Sequence, residues 1–566
     1  MKKTIAIGVQ DFESLRTEDA FYIDKTAFIR EWWDNKDAVT LITRPRRFGK
    51  TLNLSMLNCF FSEQYAGRGD LFQGLNIWQE QRFQDLQGRF PVIFLTFAGI
   101  KGTTYKSMLI QIKKQIVSTF SLFPFLMLKN VLDPNEQKAL SRISEEMSEE
   151  DAAYSLNLLS RLLEKRCERK VLIFLDEYDT PLQEAYIHGY WDEAVSFIRT
   201  LFNNTFKTNA SLFRALLTGI TRVSKESVFS DLNNLEVVTT TSEKYASCFG
   251  FTEAEVFQAM DVQGFDEGIK SEVKTWYDGF TFGTITDIYN PWSVTAFLDK
   301  GKLEPYWANT SGNALVSHLL RKGSNDLKLQ FQTLLKGEPI TVPLDEQVVF
   351  NQLDEDPATV WSLLLASGYL KVLTHQTAIT ETRGRKPAYT LMLTNLETHL
   401  MFENMVVGWF SKSGSFTKFA EVLLKGDLRG VNRYFNEVVL SSMSYFDTGN
   451  GPSYRMPENF YHGLVLGLLV DSAPDYVVRS NRESGYGRYD VVMEPKDPAD
   501  PAVIMEFKVL DAEDGEKSLE DTAANALKQI TEKKYETDLL LRGIPPEKIR
   551  KYGFAFQGKN CLVRMI

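Results

Sequence analysis

Residues 41–52 read LITRPRRFGKTL, an apolar run that leads through a basic loop into a helical pattern. Gly49, Lys50 and Thr51 match the end of the phosphate-binding pattern GxxxxGK[ST], but Arg44 stands where that pattern has its first glycine. In such a loop, backbone N–H groups at a helix N-terminus face phosphate, the lysine reaches the β and γ oxygens, and the hydroxyl ligates Mg²⁺. The stretch therefore predicts a phosphate-binding turn between a strand and a helix; a basic turn that binds nothing is the alternative.

The loop is unusual in its residues. Pro45 biases Arg44 toward an extended conformation, so the chain has to turn without the missing glycine. Arg46 and Arg47 follow at once, and we expect them to add positive charge beside the phosphates.

A second pattern lies at residues 171–179, which read VLIFLDEYD. It is an apolar strand that ends in carboxylates, the Walker B arrangement. There Asp176 would hold Mg²⁺ through its water shell, and Glu177 would polarise the attacking water. A buried strand that ends in a solvated acidic turn is the alternative. Taken with Lys50 upstream, the strand predicts ATP as ligand, with Mg²⁺ or Mn²⁺.

A third apolar run, residues 215–222 (ALLTGITR), also ends in polar residues. Thr218 stands where a sensor residue contacts the γ-phosphate, and Arg222 stands where it would stabilise the charge of that phosphate. A strand that ends at a glycine turn has the same pattern.

The first half of the chain alternates short apolar runs with longer stretches of helical periodicity. The runs that read as buried strands are residues 39–43, 92–97, 171–175 and 212–218, and the clearest helical stretches are 105–119 and 153–166. Apolar strands separated by helices indicate a parallel sheet covered on both faces. We therefore predict an α/β fold, with a P-loop ATPase domain over residues 1–285.

The middle region, residues 286–445, is expected to form a mainly helical linker domain. Residues 360–367 read as a helix and 368–372 as a strand, before a basic turn at 383–386 and a strand at 388–393. This order resembles the end of a winged helix; a helical spacer closed by a hairpin is the alternative.

The C-terminal region, residues 446–566, begins in a loop rich in Gly, Asp and Ser and is expected to form a second α/β domain. Two strands are predicted there, and between them they carry Asp490, Glu506 and Lys508. Strand alternation places Glu506 and Lys508 on one face, and a hairpin would bring Asp490 beside Glu506.

These three residues have a defined chemistry. Two close carboxylates, Asp490 and Glu506, suit a shared Mg²⁺ or Mn²⁺ that activates water, while Lys508 orients the nucleophile or helps to deprotonate it. The D…ExK pattern is that of a PD-(D/E)XK nuclease core. A surface hairpin with the same residues is the alternative.

Together the patterns resemble a bacterial family of predicted AAA-like ATPases. The segments that carry the resemblance are residues 10–16 (QDFESLR), 22–26 (YIDKT), 43–51 (TRPRRFGKT), 175–179 (LDEYD), 276–280 (WYDGF) and 289–293 (YNPWS). In that family the glycine-poor loop is itself typical, and members commonly carry a C-terminal PD-(D/E)XK nuclease-like domain. The resemblance therefore implies an ATPase fused to a restriction-endonuclease-like domain.

The resemblance also implies further site residues. Glu458 is similar to an acidic residue on the first helix of such nucleases, where it extends metal binding. Gln529 resembles a glutamine that lines the site from the helix after the ExK strand. Independently of the resemblance, Arg488 and Lys533 are candidate contacts to the phosphates of a nucleic acid; an isolated, solvated basic side chain is the alternative.

Composition sets the wider limits. The 566-residue chain has a net charge of -10, which argues against a protein that coats polyanions but is compatible with a local basic groove or a metal site. Its 4 cysteines lie far apart with no CxxC pair, as suits a reducing cytoplasm. No apolar run approaches the roughly 20 residues that span a bilayer. We expect a soluble cytoplasmic protein, and the sequence leaves a homo-oligomer open.

The function expected from these patterns joins both domains. ATP binding or hydrolysis would gate metal-dependent cleavage of nucleic acid, DNA rather than RNA, with a role in defence or mobile-element biology by analogy. A nucleotide-switched scaffold that binds nucleic acid without cutting it, and a DNA-stimulated ATPase motor, are the alternatives. The intact set of Asp490, Glu506 and Lys508 favours cleavage.

Overall fold

A computed structural model gives the fold. It describes residues 3–566 except 128–131, 222–227, 230–231, 309–313, 323, 336, 345–356, 377–387, 411–415, 445–464, 466–468, 470–475, 485–486, 511–515 and 558–559. The chain divides into two compact units. The first contains residues 1–316 and 339–398, and the second contains residues 317–338 and 399–566.

Five parallel strands form the central sheet of the first unit. They are β1 (Val39–Thr43), β2 (Val92–Thr96), β3 (Val171–Asp176), β4 (Leu212–Gly219) and β5 (Leu235–Val238), in the order β2-β3-β4-β1-β5. Every residue of β1 and β3 is buried, which is why both read as continuous apolar runs. Ile42 pairs with Thr218, and Leu175 pairs with Leu217, so the strands end together at one edge of the sheet.

Helices connect and cover these strands. They are α1 (Phe12–Thr17), α2 (Ala27–Asn35), α3 (Lys50–Phe61), α4 (Gln81–Gln84), α5 (Tyr105–Ser121), α6 (Pro134–Leu140), α7 (Glu149–Cys167), α8 (Thr180–His188) and α9 (Trp191–Phe202). Side-chain caps fix several starts: Asp11, Thr104 and Ser148 each accept a backbone N–H in the first turn of α1, α5 and α7. Helices α3, α5 and α7 pack on β2 and β3.

A small antiparallel sheet and three helices follow in the same unit. The elements are β6 (Phe251–Thr252), α10 (Glu253–Gln263), α11 (Gly268–Tyr277), β7 (Phe280–Phe282), β8 (Ile285–Tyr289) and α12 (Pro291–Lys300), with strand order β6-β8-β7. Val256, Tyr277, Tyr289 and Phe297 share one apolar core. Asn290 caps α12, and a proline follows it at the first helical position, which makes the start of this helix readable from the sequence.

The chain continues through α13 (Ala314–Lys322) and α14 (Asn325–Leu335). The first unit then resumes with β9 (Ile340–Pro343), α15 (Pro357–Ala366), β10 (Leu370–Gln376) and β11 (Ala388–Leu393), whose strands form an antiparallel sheet in the order β10-β11-β9. The helix and two strands predicted around residues 360–393 are therefore present. The basic turn expected at residues 383–386 lies outside the described residues.

The second unit combines helices with a mixed five-stranded sheet. Its further elements are α16 (Leu396–Phe410, of which residues 396–398 belong to the first unit), α17 (Phe416–Lys425), α18 (Leu428–Ser444), β12 (Tyr476–Ser484), β13 (Gly487–Pro495), β14 (Ala502–Val509), α19 (Leu519–Glu532), α20 (Thr537–Leu541), β15 (Ile549–Gln557) and β16 (Asn560–Met565). The strands follow one another in the order β12-β13-β14-β15-β16, and only the pair β14 and β15 is parallel among those described. Helix α19 lies between those two strands in the chain, as a parallel pair requires.

Helix α19 packs on the sheet through its apolar face. Leu527 and Ile530 join Ile504 and Tyr535 in one buried cluster. The predicted α/β class, helical middle region and C-terminal mixed α/β sheet are confirmed. The domain borders expected at residues 285 and 445 stay predictions. Among the described residues, the helices are too short or too polar to cross a membrane.

Candidate active sites

The loop predicted to bind phosphate, residues 44–49 between β1 and α3 and called the phosphate loop below, folds around the ammonium group of Lys50. The Nζ atom of Lys50 donates to the carbonyl oxygens of Arg44 at 2.9 Å and Pro45 at 2.7 Å. Burial lowers the pKa of Lys50, while the carboxylates of Glu177 and Asp176 oppose that effect. The loop therefore holds a buried positive charge close to the acidic end of β3.

Arg44, which replaces the usual first glycine, belongs to the core. Its side chain is fully buried, and one guanidinium nitrogen donates to the carbonyl oxygens of Thr43 at 2.9 Å and Thr239 at 2.6 Å. The guanidinium carbon lies 4.4 Å from the centre of the Phe282 ring. Burial lowers the pKa of Arg44 to about 9. Arg44 therefore ties the loop to β7 and to the residue that follows β5 through its own side chain.

The loop turns at two other positions. Arg47 has φ 64 and Gly49 has φ 78, both in the left-handed region. Glycine adopts this conformation freely, but arginine does so at a cost of roughly 1–2 kcal/mol. The missing glycine is thus compensated by left-handed residues later in the loop.

Helix α3 begins beside the acidic end of β3. The Thr51 hydroxyl donates to Oδ2 of Asp176 at 2.6 Å, and the Thr218 hydroxyl donates to Oδ1 of the same carboxylate, also at 2.6 Å. Thr51 and Asp176, which were both predicted to serve Mg²⁺, thus lie in direct contact. Hydroxyl and carboxylate oxygens are hard ligands, so this set fits a magnesium ion.

The acidic residues after β3 have distinct environments. Glu177 has φ 49, a strained conformation of a kind that clusters at functional sites, and the Thr180 hydroxyl donates to its Oε2 at 3.2 Å. Burial raises the pKa of Glu177. Asp179, which the sequence reasoning missed, accepts from the backbone N–H groups of Ile220 at 3.0 Å and Thr221 at 2.9 Å. Asp179 therefore fixes the turn after β4.

The remaining predicted nucleotide contacts have different positions. The Arg47 guanidinium lies 3.8 Å from the centre of the Trp292 ring, and Arg46 donates to Oε1 of Gln183 at 3.4 Å. Arg222 lies outside the described residues. Arg46 and Arg47 are thus on the loop but pair with α8 and α12.

Two N-terminal segments of the resemblance support the helix that follows the loop. In residues 10–16, the Phe12 N–H donates to the Ser55 hydroxyl of α3 at 3.0 Å, and that hydroxyl donates to Asp11 at 3.2 Å. In residues 22–26, the Tyr22 hydroxyl donates to the sulfur of Met56 on the same helix at 3.4 Å. These segments therefore have structural partners, which no local pattern in the sequence identifies.

The C-terminal carboxylates meet across β13 and β14. The pairing of Val491 with Met505 puts Asp490 opposite Glu506 when it is continued by one residue. Oδ2 of Asp490 accepts from the Phe507 N–H at 2.8 Å. Glu506 is 2% exposed, whereas Lys508, two residues along the same strand face, is partly exposed. The structure thus brings together the three residues of the D…ExK pattern.

Helix α19 supplies the next contact. Nε2 of Gln529 donates to Oε1 of Glu506 and, at 3.1 Å, to the hydroxyl oxygen of Tyr535. Burial raises the pKa of Tyr535, and the charges of Glu506 and Asp490 act in the same direction. Tyr535 therefore belongs to this site. No pattern in the sequence assigned Tyr535 a role.

The other residues expected at this centre are less well placed. Glu458 lies outside the described residues, and for Arg488 the structure describes the backbone and not the side chain. Lys533 is exposed at the C-terminal end of α19. The pair Asp490 and Glu506 offers hard oxygen ligands on one side of a buried strand, a donor set that fits Mg²⁺ or Mn²⁺.

An acidic cluster that sequence reasoning did not identify lies in the first unit. Carboxylate oxygens of Glu253, Asp278 and Asp287 lie within 4.8 Å of one another. Burial raises the pKa of Asp278 to about 7. The Lys274 ammonium lies 2.5 Å from Glu253 and 3.1 Å from Asp287, so the cluster already holds a cation of its own. It therefore acts as an ion-pair network that joins α10, α11 and β8.

Comparison with known proteins identifies a domain in each half of the chain. Residues 6–229 match the family model described as Predicted AAA-ATPase, and residues 456–565 match that of the PD-(D/E)XK nuclease superfamily. A protein of Azotobacter chroococcum mcd 1, named "Uncharacterized protein in vnfD 5'region", is 24% identical over 553 residues, which are 96% of this chain and 95% of that relative. The chain therefore carries a predicted AAA-ATPase-like domain and, at its C-terminus, a domain of the PD-(D/E)XK nuclease superfamily.

Proposed function

We propose that the first unit binds ATP with Mg²⁺ at the carboxyl edge of the central sheet and hydrolyses it. The observation that carries this proposal is the contact of Thr51 with Asp176, with Thr218 on the other oxygen of the same carboxylate. Three residues from α3, β3 and β4 converge there, beside the buried ammonium of Lys50. A basic turn without a ligand would not require such convergence.

Each residue then has a role in binding. The backbone of Gly49 and the ammonium of Lys50 would contact the phosphates, and Thr51 with Asp176 would hold the ion. Thr218 would sense the γ-phosphate through Asp176. Arg46, Arg47 and Arg222 are proposed to add positive charge near the phosphates.

Glu177 is the proposed general base for the attacking water. A base has to lie beside the phosphates, and Glu177 directly follows Asp176 with its carboxylate held by Thr180. Burial raises the pKa of Glu177, which makes its carboxylate a better proton acceptor than an exposed glutamate. The Mg²⁺ ion, when bound, supplies charge stabilisation for the transferred phosphoryl group.

We propose that the C-terminal domain is a metal-dependent phosphodiesterase that acts on nucleic acid, DNA in preference to RNA. Asp490 and Glu506, with Glu458, would hold Mg²⁺ or Mn²⁺, which supplies charge at the scissile phosphate. Lys508 would orient the nucleophilic water from the same strand face. Gln529 orients Glu506, and Arg488 and Lys533 are proposed phosphate contacts.

The two activities are proposed to be coupled, with the ATP state gating cleavage. The support is their fusion in one chain; the similarity to the relative extends over 95% of that protein's length. Defence against foreign DNA and mobile-element biology are the settings proposed by analogy.

Titration calorimetry tests the nucleotide site. Wild-type protein is expected to bind ATP with Mg²⁺, and Lys50→Ala is expected to weaken binding by about 100-fold because a buried, charged partner of the phosphates is lost. Lys101→Ala, an exposed lysine of the same unit, is the matched control. Equal affinity of Lys50→Ala and wild type would refute the nucleotide site.

A cleavage assay tests the second site. Plasmid DNA, single-stranded DNA and RNA are incubated with Mg²⁺ or Mn²⁺, with and without ATP. Wild-type protein is expected to cut DNA only with metal, and faster or slower when ATP is present; Glu506→Ala is expected to be inactive. Glu520→Gln, an exposed glutamate on α19, serves as the control. Metal-dependent cleavage by Glu506→Ala would show that Glu506 is not part of the nuclease site. A cleavage rate that is the same with and without ATP would show that ATP does not gate cleavage.

A further inference from the structure

The phosphate loop is held from outside the central sheet by three aromatic side chains. The Arg47 guanidinium stacks on Trp292 at 3.8 Å, and the indole Nε1–H of Trp307 donates to the Arg46 carbonyl at 3.2 Å. Phe48 packs against Phe280, with ring centres 4.7 Å apart. Three consecutive loop residues are therefore each bound by a different aromatic ring.

Two of these rings belong to segments whose role the nucleotide site does not explain. Phe280 ends the segment 276–280, and Trp292 lies in the segment 289–293. Both segments are among those that carry the family resemblance, and in the structure each contacts the phosphate loop. Trp307 follows them in the chain, between α12 and α13.

One buried carboxylate connects two of the three. Glu397, in the first turn of α16, is 0% exposed. It accepts from the Ser293 hydroxyl at 2.8 Å and from the backbone N–H groups of Trp307 at 2.5 Å and Ala308 at 3.3 Å. Ser293 is the neighbour of Trp292, so this one carboxylate binds the backbone of one tryptophan that contacts the loop and the side chain next to the other.

A fully buried carboxylate is energetically unfavourable in a protein core. Burying an ionisable group costs several kcal/mol unless its hydrogen bonds are satisfied. An acid in the first turn of a helix often serves the helix's own N–H groups, but the partners of Glu397 come from α12 and from residues 307–308. Its burial is therefore explained by the contacts that it makes with α12 and with residues 307–308.

We propose that Glu397 is a positioning residue that holds the phosphate loop in its nucleotide-binding conformation. It acts through Trp307, which binds the Arg46 carbonyl, and through Ser293, whose neighbour Trp292 stacks on Arg47. The inference rests on the proposed ATP site for its functional meaning. A loop that has lost its first glycine and contains a left-handed arginine needs outside support to keep one conformation. Glu397 supplies that support without touching the nucleotide.

Two measurements on full-length protein test the proposal. Wild type, Glu397→Ala and Glu397→Gln are compared with Glu403→Gln, a partly exposed glutamate on the same helix. Hydrogen–deuterium exchange follows the amides of residues 46–49 without nucleotide, and calorimetry measures the affinity for ATP with Mg²⁺. The exchange measurement needs no ATP, so it tests the effect of Glu397 on the loop by itself. If wild type does not bind ATP, the proposed ATP site is refuted but the role of Glu397 in holding the loop is still tested.

Glu397→Ala is expected to exchange its loop amides about tenfold faster and to bind ATP about tenfold more weakly, the effect of losing one or two well-placed hydrogen bonds. Glu397→Gln is expected to stay within about threefold of wild type because its amide oxygen still accepts from the Trp307 N–H. Glu403→Gln should match wild type. Unchanged loop exchange in folded Glu397→Ala would overturn the proposal.

Trp307→Phe keeps the test decisive if Glu397→Ala does not fold. Phenylalanine preserves an aromatic ring but removes the Nε1–H that binds the Arg46 carbonyl. Faster exchange at residues 46–49 and about threefold weaker ATP binding are expected, as for one neutral hydrogen bond. Wild-type exchange and affinity in this variant would contradict the inference.

Discussion

Thr51 donates its hydroxyl hydrogen to Asp176 at 2.6 Å, although the two residues are 125 positions apart. Thr218 binds the other oxygen of that carboxylate, so both oxygens are held by neutral hydroxyls from neighbouring elements. The contact fixes the end of β3 against the first turn of α3. An ion that binds there would meet a hydroxyl and a carboxylate that are already oriented.

Removing the Thr51 hydroxyl should therefore weaken the metal site selectively. Thr51→Val is expected to raise the Mg²⁺ concentration that half-saturates ATP hydrolysis by about 10–100-fold, the usual effect of disturbing a metal-site ligand. Hydrolysis measured over a Mg²⁺ series gives this value. Thr17→Val, at an exposed threonine, is the control. An unchanged Mg²⁺ dependence would show that Thr51 does not serve the ion.

Glu177 is predicted to act in the chemical step and not in binding. Glu177→Gln is expected to lower kcat for ATP hydrolysis by about 10²–10⁴-fold, because a general base is lost while the shape of the side chain is kept. The dissociation constant for ATP should stay within about threefold. Single-turnover hydrolysis and calorimetry separate the two quantities, and Glu184→Gln on α8 is the neighbouring control. A fall in affinity with unchanged kcat would assign Glu177 to binding instead.

Restoring the usual glycine should damage this loop. Arg44→Gly removes a fully buried side chain and leaves the carbonyl oxygens of Thr43 and Thr239 without their donor. We expect the central sheet to lose about 3 kcal/mol of stability. Native-state hydrogen exchange of the β1 amides reports this change. Arg46→Gly should cost less than about 1 kcal/mol, and an equal loss in both variants would contradict the role of Arg44 in the core.

Much of the fold could be predicted because its signals are local. The buried strands β1 and β3 appear as short apolar runs, and the start of α12 appears as Asn290 followed by proline. The meeting of Asp490 with Glu506 follows from strand alternation, because only a short turn separates β13 from β14. Gln529 was placed through the family resemblance and not through any local pattern.

The remaining features depend on contacts between distant parts of the chain. In the sequence, Arg44 is one of three arginines in a basic loop, and nothing near it indicates that its side chain is buried. Its acceptor at Thr239 lies 195 positions away. Glu397 binds Ser293 from 104 positions away, so nothing beside it in the sequence indicates its role. A side chain that gains its function from such partners has no periodicity or spacing that could reveal it.

Glu397 also predicts a dependence of stability on pH. Burial raises its pKa to about 7, against an ordinary value of 4.5. The folded chain therefore binds this proton more tightly than the unfolded chain, and stability falls as pH rises from about 4.5 to about 7. The full cost of about 3 kcal/mol is present above pH 7.

Glu397→Gln should remove that dependence because glutamine does not ionise. Its stability relative to wild type is expected to rise by about 2.5 kcal/mol between pH 5 and pH 8. Hydrogen exchange of central-sheet amides at several pH values checks this, with Glu403→Gln as the control. A constant difference between Glu397→Gln and wild type would mean that Glu397 titrates normally.

If Asp490 and Glu506 share one metal ion, as proposed, the two carboxylates should act as one unit. Asp490→Asn retains an oxygen that can accept from the Phe507 N–H, so β13 and β14 should stay paired. Its charge is lost, however, and metal-dependent cleavage is expected to fall by about 100-fold or more, because the remaining carboxylate binds the cation poorly alone. Glu506→Gln should have a similar effect. The double variant should be no slower than the slower single variant, since residues that share one ion are not additive. Cleavage rates over a Mn²⁺ series measure this, and effects that multiply in the double variant would show that the two carboxylates do not share one ion.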